Sequence, residues 1–113
     1  VLEHPRGSKL WPTYLPYPGK TDQYGGWTLY IHQSWFGHRC EKKTFLYILG
    51  IAPTEIPNYK VTYNVATHTI NFTAANGKQP VPKKEREATP IELAKWMIEL
   101  VQRIEANKLN SND

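Results

Sequence analysis

One cysteine, one methionine and no long apolar run mark this chain of 113 residues. Each scarcity excludes something. Cys40 has no partner for an internal disulfide and too little company for a structural zinc site, which favours a reducing, intracellular setting. The sequon Asn71-Phe72-Thr73 falls inside a predicted strand and does not outweigh that argument. No segment approaches the roughly 18 to 20 apolar residues of a membrane-spanning helix, and the N-terminus lacks an apolar signal core. A soluble chain with no membrane partner is expected. There is no Walker loop, Gly-x-Gly-x-x-Gly turn, nucleophile elbow or Cys-x-x-Cys pair, so no cofactor is assigned. No internal repeat is visible. Because the chain begins at Val1 and its sole methionine is Met97, a processed form or a piece of a larger protein is expected, with a tag remnant in Val1 to Ser8 as one source of the first residues.

Aromatic residues are plentiful: four Trp, seven Tyr and three Phe. Such side chains bury enough area to offset the entropy of ordering, which excludes wholesale disorder. The length suits one hydrophobic core and one domain. A net charge of +4 favours nucleic acid or an acidic protein surface as partner.

Residues 1–26 read as an extended arm rich in proline and aromatics. Pro5, Pro12, Pro16 and Pro18, with Gly19, Gly25 and Gly26, speak against any long helix or paired strand there. Trp11, Tyr14, Tyr17 and Tyr24 would release apolar area by packing on the domain, so part of the arm should wrap it. Residues 27–107 form a single α+β domain, and 108–113 a frayed tail.

Trp27 to Phe36 alternates Trp27, Leu29, Ile31 and Trp35 against Thr28, Tyr30, His32, Ser34 and Phe36, the period of a strand with the first set on the core. Lys43 to Ala52 carries apolar residues on both faces, which predicts an interior strand. Tyr59 to Val65 and Ile70 to Ala74 alternate again around Ala66-Thr67-His68-Thr69, a predicted hairpin. Gln79 to Ala88 reads as an exposed connection. Thr89-Pro90 with Glu92 makes a capping box, and a helix to about Asn107 follows, its apolar stripe being Leu93, Trp96, Met97, Leu100, Val101 and Ile104. The predicted architecture is a sheet of about four antiparallel strands, the C-terminal amphipathic helix on one face and the proline-rich arm over an edge or the other face. It is similar, in architecture alone, to small single-stranded DNA-binding folds built of four strands and a helix.

Chemistry concentrates near the basic connection Gly37-His38-Arg39-Cys40-Glu41-Lys42-Lys43. His32, His38 and Cys40, with Glu41, contain metal-binding atom types, but their spacing is not diagnostic and no metal is assigned. His32 and His38 flanking Arg39 or Lys43 would suit acid–base cleavage of RNA without metal, a lesser alternative for which no motif speaks. Arg39, Lys42 and Lys43 would favour a Cys40 thiolate, though a lone loop cysteine is more often incidental. No residue is assigned a catalytic role, and a noncatalytic domain is favoured over an enzyme.

The basic and aromatic residues support a binding surface for nucleic acid, most naturally single-stranded. Tyr30, His32 and Phe36 lie opposite the predicted core and would stack on bases, while Arg39, Lys42, Lys43 and Lys60 would contact phosphates. Against this, Phe45, Tyr47 and Leu49 would make the same face a dry layer under the arm. A simple meander also sets the Gly37 to Lys43 connection at the opposite end of the sheet from Lys78, Lys83, Lys84 and Arg86. The competing expectation is a protein-interaction module or homodimer, using a strand edge, the aromatic arm or the helix bearing Trp96.

Overall fold

A computed structural model describes residues 1–58, 61 and 64–111. The alternation from Trp27 produces strand β2, Trp27–His32, and the doubly apolar run produces β3, Lys43–Ile48. They pair antiparallel with Leu29 opposite Leu46 and Tyr30 opposite Phe45. The third strand is β1, Leu2–Pro5, which pairs with β3 so that Glu3 meets Leu46 and the sheet order is β1-β3-β2. The interior position expected for β3 is thus met. The expected four-stranded sheet is not: this sheet has three strands, and one comes from the proline-rich start of the chain. Pro5 is tolerated because it closes an edge strand, where a missing N–H breaks no ladder.

Strand β2 ends earlier than its pattern suggests. At Gln33 the chain tightens into a 3-10 turn, Gln33–Phe36, closed by Gly37 at φ 105°. The period changes there from two to three, so Phe36 enters the core instead of continuing the opposite strand face. Strand β3 likewise stops at Ile48, and Gly50 at φ 95° turns the chain, burying Ile51 and exposing Leu49.

The mixed α+β core lies between one sheet face and the C-terminal helix. Trp27, Ile31, Leu46 and Ile48 pack with Leu93, Trp96 and Leu100, joined by Phe36 and Ile51. Full burial of one such aliphatic chain stabilises by about 1.5–3 kcal/mol. The two core indoles donate their N–H groups to backbone oxygens, Trp27 to Ile51 at 2.8 Å and Trp96 to Pro57 at 2.8 Å, so neither carries an unmet donor into the interior.

The predicted second hairpin is absent from the described residues. Tyr59, Lys60, Thr62 and Tyr63 lie outside them, while Val61, Asn64 and Val65 are not in a strand. The expected turn instead contains β4, His68–Thr69, which pairs in parallel with β5, Gln79–Pro80. Ile70 and Phe72 are exposed between them. Alternation alone does not supply a partner strand. The expected exposed connection contains a short helix, α1, Lys83–Glu87, and the main helix α2 runs Ile91–Ser111, absorbing most of the predicted tail. No helix among the described residues is long and apolar enough to cross a membrane.

Candidate nucleic-acid interface

The sheet face opposite the core is divided. On one half the N-terminal segment seals it: Trp11 meets Phe45 edge-on at 5.2 Å and donates its indole N–H to Thr28 Oγ1 at 3.0 Å, while that hydroxyl donates to Pro16 O at 2.6 Å. Tyr17 also approaches Phe45 edge-on, at 6.5 Å. Of the expected dry layer Phe45 is buried, Tyr47 is half-buried and Leu49 is exposed. The other half carries Tyr30 and His32, both half-buried.

Tyr30 is where charge and aromatic surface meet. The Arg6 guanidinium lies 5.9 Å from the ring centroid, and its Nη1 donates to the Tyr30 hydroxyl at 3.3 Å. That hydroxyl is 3.1 Å from His32 Nε2, and the His32 ring stacks on Trp35 with 4.7 Å between centroids and 19° between planes. Glu41 closes the group, 3.1 Å from His32 Nδ1 and 4.0 Å from Lys43 Nζ. Arg6 occupies this place because its backbone extends the edge pairing, its N–H donating to Lys43 O at 3.1 Å.

The basic connection is not a free tip. Thr67 and His68 both donate backbone N–H groups to Arg39 O, and Cys40 makes a parallel bridge to His68. From the other side α1 docks: Arg39 holds the Glu85 carboxylate in a two-pronged pair, with Nη2 to Oε2 at 2.6 Å and Nε to Oε1. That hydrogen-bonded guanidinium holds the Glu85 carboxyl below its ordinary range. Lys42 takes a left-handed φ of 46° and donates Nζ to Ala88 O at 3.2 Å; its partial burial lowers its pKa.

His38 and Cys40 are buried. Burial lowers the His38 pKa, and the ring is fully engaged, Nδ1 accepting from Cys40 N–H and Nε2 donating to Glu85 O, both at 2.9 Å. That removes His38 from the proposed nuclease pair with His32. Burial raises the Cys40 thiol. The thiolate that Arg39, Lys42 and Lys43 would favour is not the outcome here, because desolvation outweighs the neighbouring cations. Among the described residues no three His, Cys, Asp or Glu side chains are grouped to hold a metal ion. The sequence set His32, His38, Cys40 and Glu41 is split between the open face and the interior.

Folding the β4–β5 segment against the connection creates a cleft of about 340 Å³, lined by Arg6, Lys42, Lys43 and Lys78 with Glu41 and His68 among its walls. The two basic regions that a meander would separate are thus brought together. Arg6 and Lys78 have no carboxylate partner among the described residues. A second, more apolar slot of about 240 Å³ shares Pro5, Lys42, Lys43 and Ile70 with the cleft and adds Phe72 and Arg86.

Of the residues expected from sequence, Lys42 and Lys43 line this region, and Tyr30 and His32 border it through Arg6 and Glu41. Phe36 does not, because the 3-10 turn buries it, and Arg39 is neutralised by Glu85. Lys60 lies outside the described residues. Arg6, Lys78 and Phe72 belong to the region and were missed. Arg6 stands in a stretch that reads as an arm, and Phe72 in one that reads as a strand. Comparison with protein-family models, curated proteins and solved structures finds no match to this chain.

Proposed function

We propose that this protein is a noncatalytic domain that binds single-stranded nucleic acid, its bases against the Tyr30, His32 and Trp35 group and its phosphates at Arg6, Lys43 and Lys78. The observation that carries the reading is Arg6, which lies over the Tyr30 ring and also lines the cationic cleft. A single-stranded backbone tracks cations while its unpaired bases seek ring faces, and a surface that alternates the two fits it. Lys42 adds to the field although its ammonium is engaged. Glu41 works against binding on its own, but its contacts to His32 and Lys43 reduce its reach into the cleft.

The test is a fluorescence-anisotropy titration with mixed-sequence DNA and RNA oligonucleotides at two salt concentrations. Three phosphate contacts on a single strand give a logarithmic salt slope of roughly −2, so affinity should fall about 20-fold between 50 and 200 mM salt. Charge reversal at Arg6, Lys43 or Lys78 should each weaken binding and flatten that slope. Absence of binding at low salt overturns the reading.

A protein-interaction role has one observation in its favour. Ile91, Ile98 and Leu109 are exposed along α2, on the helix side away from Leu93, Trp96 and Leu100. Self-association through that face would persist in high salt and would be lost in Ile98→Glu, as read by sedimentation velocity.

A further inference from the structure

We infer that the cleft and the slot together form a pocket for one nucleotide, the phosphate held in the cleft by Arg6, Lys43 and Lys78 and the base held in the slot beside Phe72. This rests on the nucleic-acid reading, keeps its phosphate contacts at Arg6, Lys43 and Lys78, and adds a base site at Phe72 beyond the Tyr30 group. The two compartments, about 340 and 240 Å³, share Pro5, Lys42, Lys43 and Ile70 in their walls, and their volumes together fall within the range of ligand sites. One end is cationic and the other largely apolar, the same division of chemistry that a nucleotide carries between phosphate and base.

Phe72 is 85% exposed, although phenylalanine is among the more often buried residue types. Its ring is already used for stacking: the Arg86 guanidinium lies 4.6 Å from the centroid. A base entering the slot extends that stack, since every base offers a π-face.

The slot wall also carries unmet hydrogen-bonding capacity. Among the described residues, two buried side-chain polar atoms have no partner, Gln33 Oε1 and Arg86 Nε. Arg86 lines the slot; Gln33 does not, its Nε2 donating to Glu3 at 3.2 Å and Thr44 at 3.0 Å. The orphan in the slot wall, Arg86 Nε, is a donor. A hydrocarbon would leave it unanswered, whereas a base edge bears ring-nitrogen or carbonyl acceptors.

The experiment is an NMR titration of the full chain, following backbone amides, with adenosine 5′-monophosphate, adenosine and inorganic phosphate as separate probes. The monophosphate should shift amides of the Ile70 to Lys78 segment and of Lys42 and Lys43. It should bind roughly tenfold or more tightly than either half alone, because the two halves are captured together. Phe72→Ala, a substitution at an exposed site, should weaken the monophosphate roughly fivefold or more; Lys78→Glu should do the same while leaving adenosine unchanged. If oligonucleotides bind but the monophosphate gives no shifts at 10-fold excess over a ~1 mM dissociation constant, the pocket is overturned and the proposed function stands. If oligonucleotides also fail to bind at low salt, the proposed function falls with it.

Discussion

The Arg39 guanidinium grips the Glu85 carboxylate from 46 residues away and so fastens α1 to the connection between β2 and β3. A five-residue helix has little stability of its own, so its position depends on such contacts. Glu85→Gln should therefore raise hydrogen exchange across Lys83–Glu87 severalfold while the amides of β3 keep their protection. The swap Arg39→Glu with Glu85→Arg should restore part of it. Because the folded Glu85 pKa is depressed, its contribution is present above the ordinary carboxylate value and is lost as pH falls through the folded value.

His38 gives a second pH dependence in a higher window. Its folded pKa lies below the ordinary value of about 6.5, so the folded state prefers the neutral ring, and stability is full above that value. As pH falls from there through the folded pKa, the unfolded chain binds the proton first and stability declines. A thermal-melting series from pH 7.5 to 5 should show the decline, and His38→Leu should remove that slope even if its melting temperature is lower throughout.

Neighbouring positions on α2 should respond very differently to the same truncation. Leu100 is 0% exposed in the core and Val101 is 44% exposed. Leu100→Ala should cost about 2–5 kcal/mol in chemical denaturation, whereas Val101→Ala should stay within about 0.5 kcal/mol.

Gly26 cannot carry a side chain without moving a neighbour. A Cβ there would overlap the Tyr47 ring, whose hydroxyl donates to Asp22 and is pushed up to about 12 by that bond. Gly26→Ala should destabilise by about 1–3 kcal/mol in denaturant unfolding. Gly7→Ala, with open space around the added carbon, should stay close to the wild type.

The elements legible in the sequence are those whose pattern is read against a large partner. β2, β3 and α2 each present one face to a shared core, and burial enforces the period that the sequence displays. Leu2–Pro5 was illegible because two or three residues of alternation ending in proline look the same in a loop as in an edge strand. The pairing of His68–Thr69 with Gln79–Pro80 is only two residues long, too short for any period. Ile70 and Phe72 mislead in the opposite way: their spacing is that of a strand, but the backbone there bends and their side chains face outward. At the candidate site, Lys42 and Lys43 were visible as charge, while Arg6 and Lys78 required the tertiary fold to reach them. Arg39 shows the limit of counting charge, since Glu85 answers it from a helix that composition alone reads as solvated connection.

Strand β1 ties the proposed site to the mechanics of the sheet edge. It is only four residues long, it lies at the rim of the sheet, and the residue that follows it is Arg6. Rim strands of this length open and close on their own, so the grip of Arg6 on Tyr30 is available only in the closed fraction of molecules. Whatever takes hold of Arg6 thereby tightens the sheet, and whatever loosens the first residues of the chain loosens Arg6 from Tyr30.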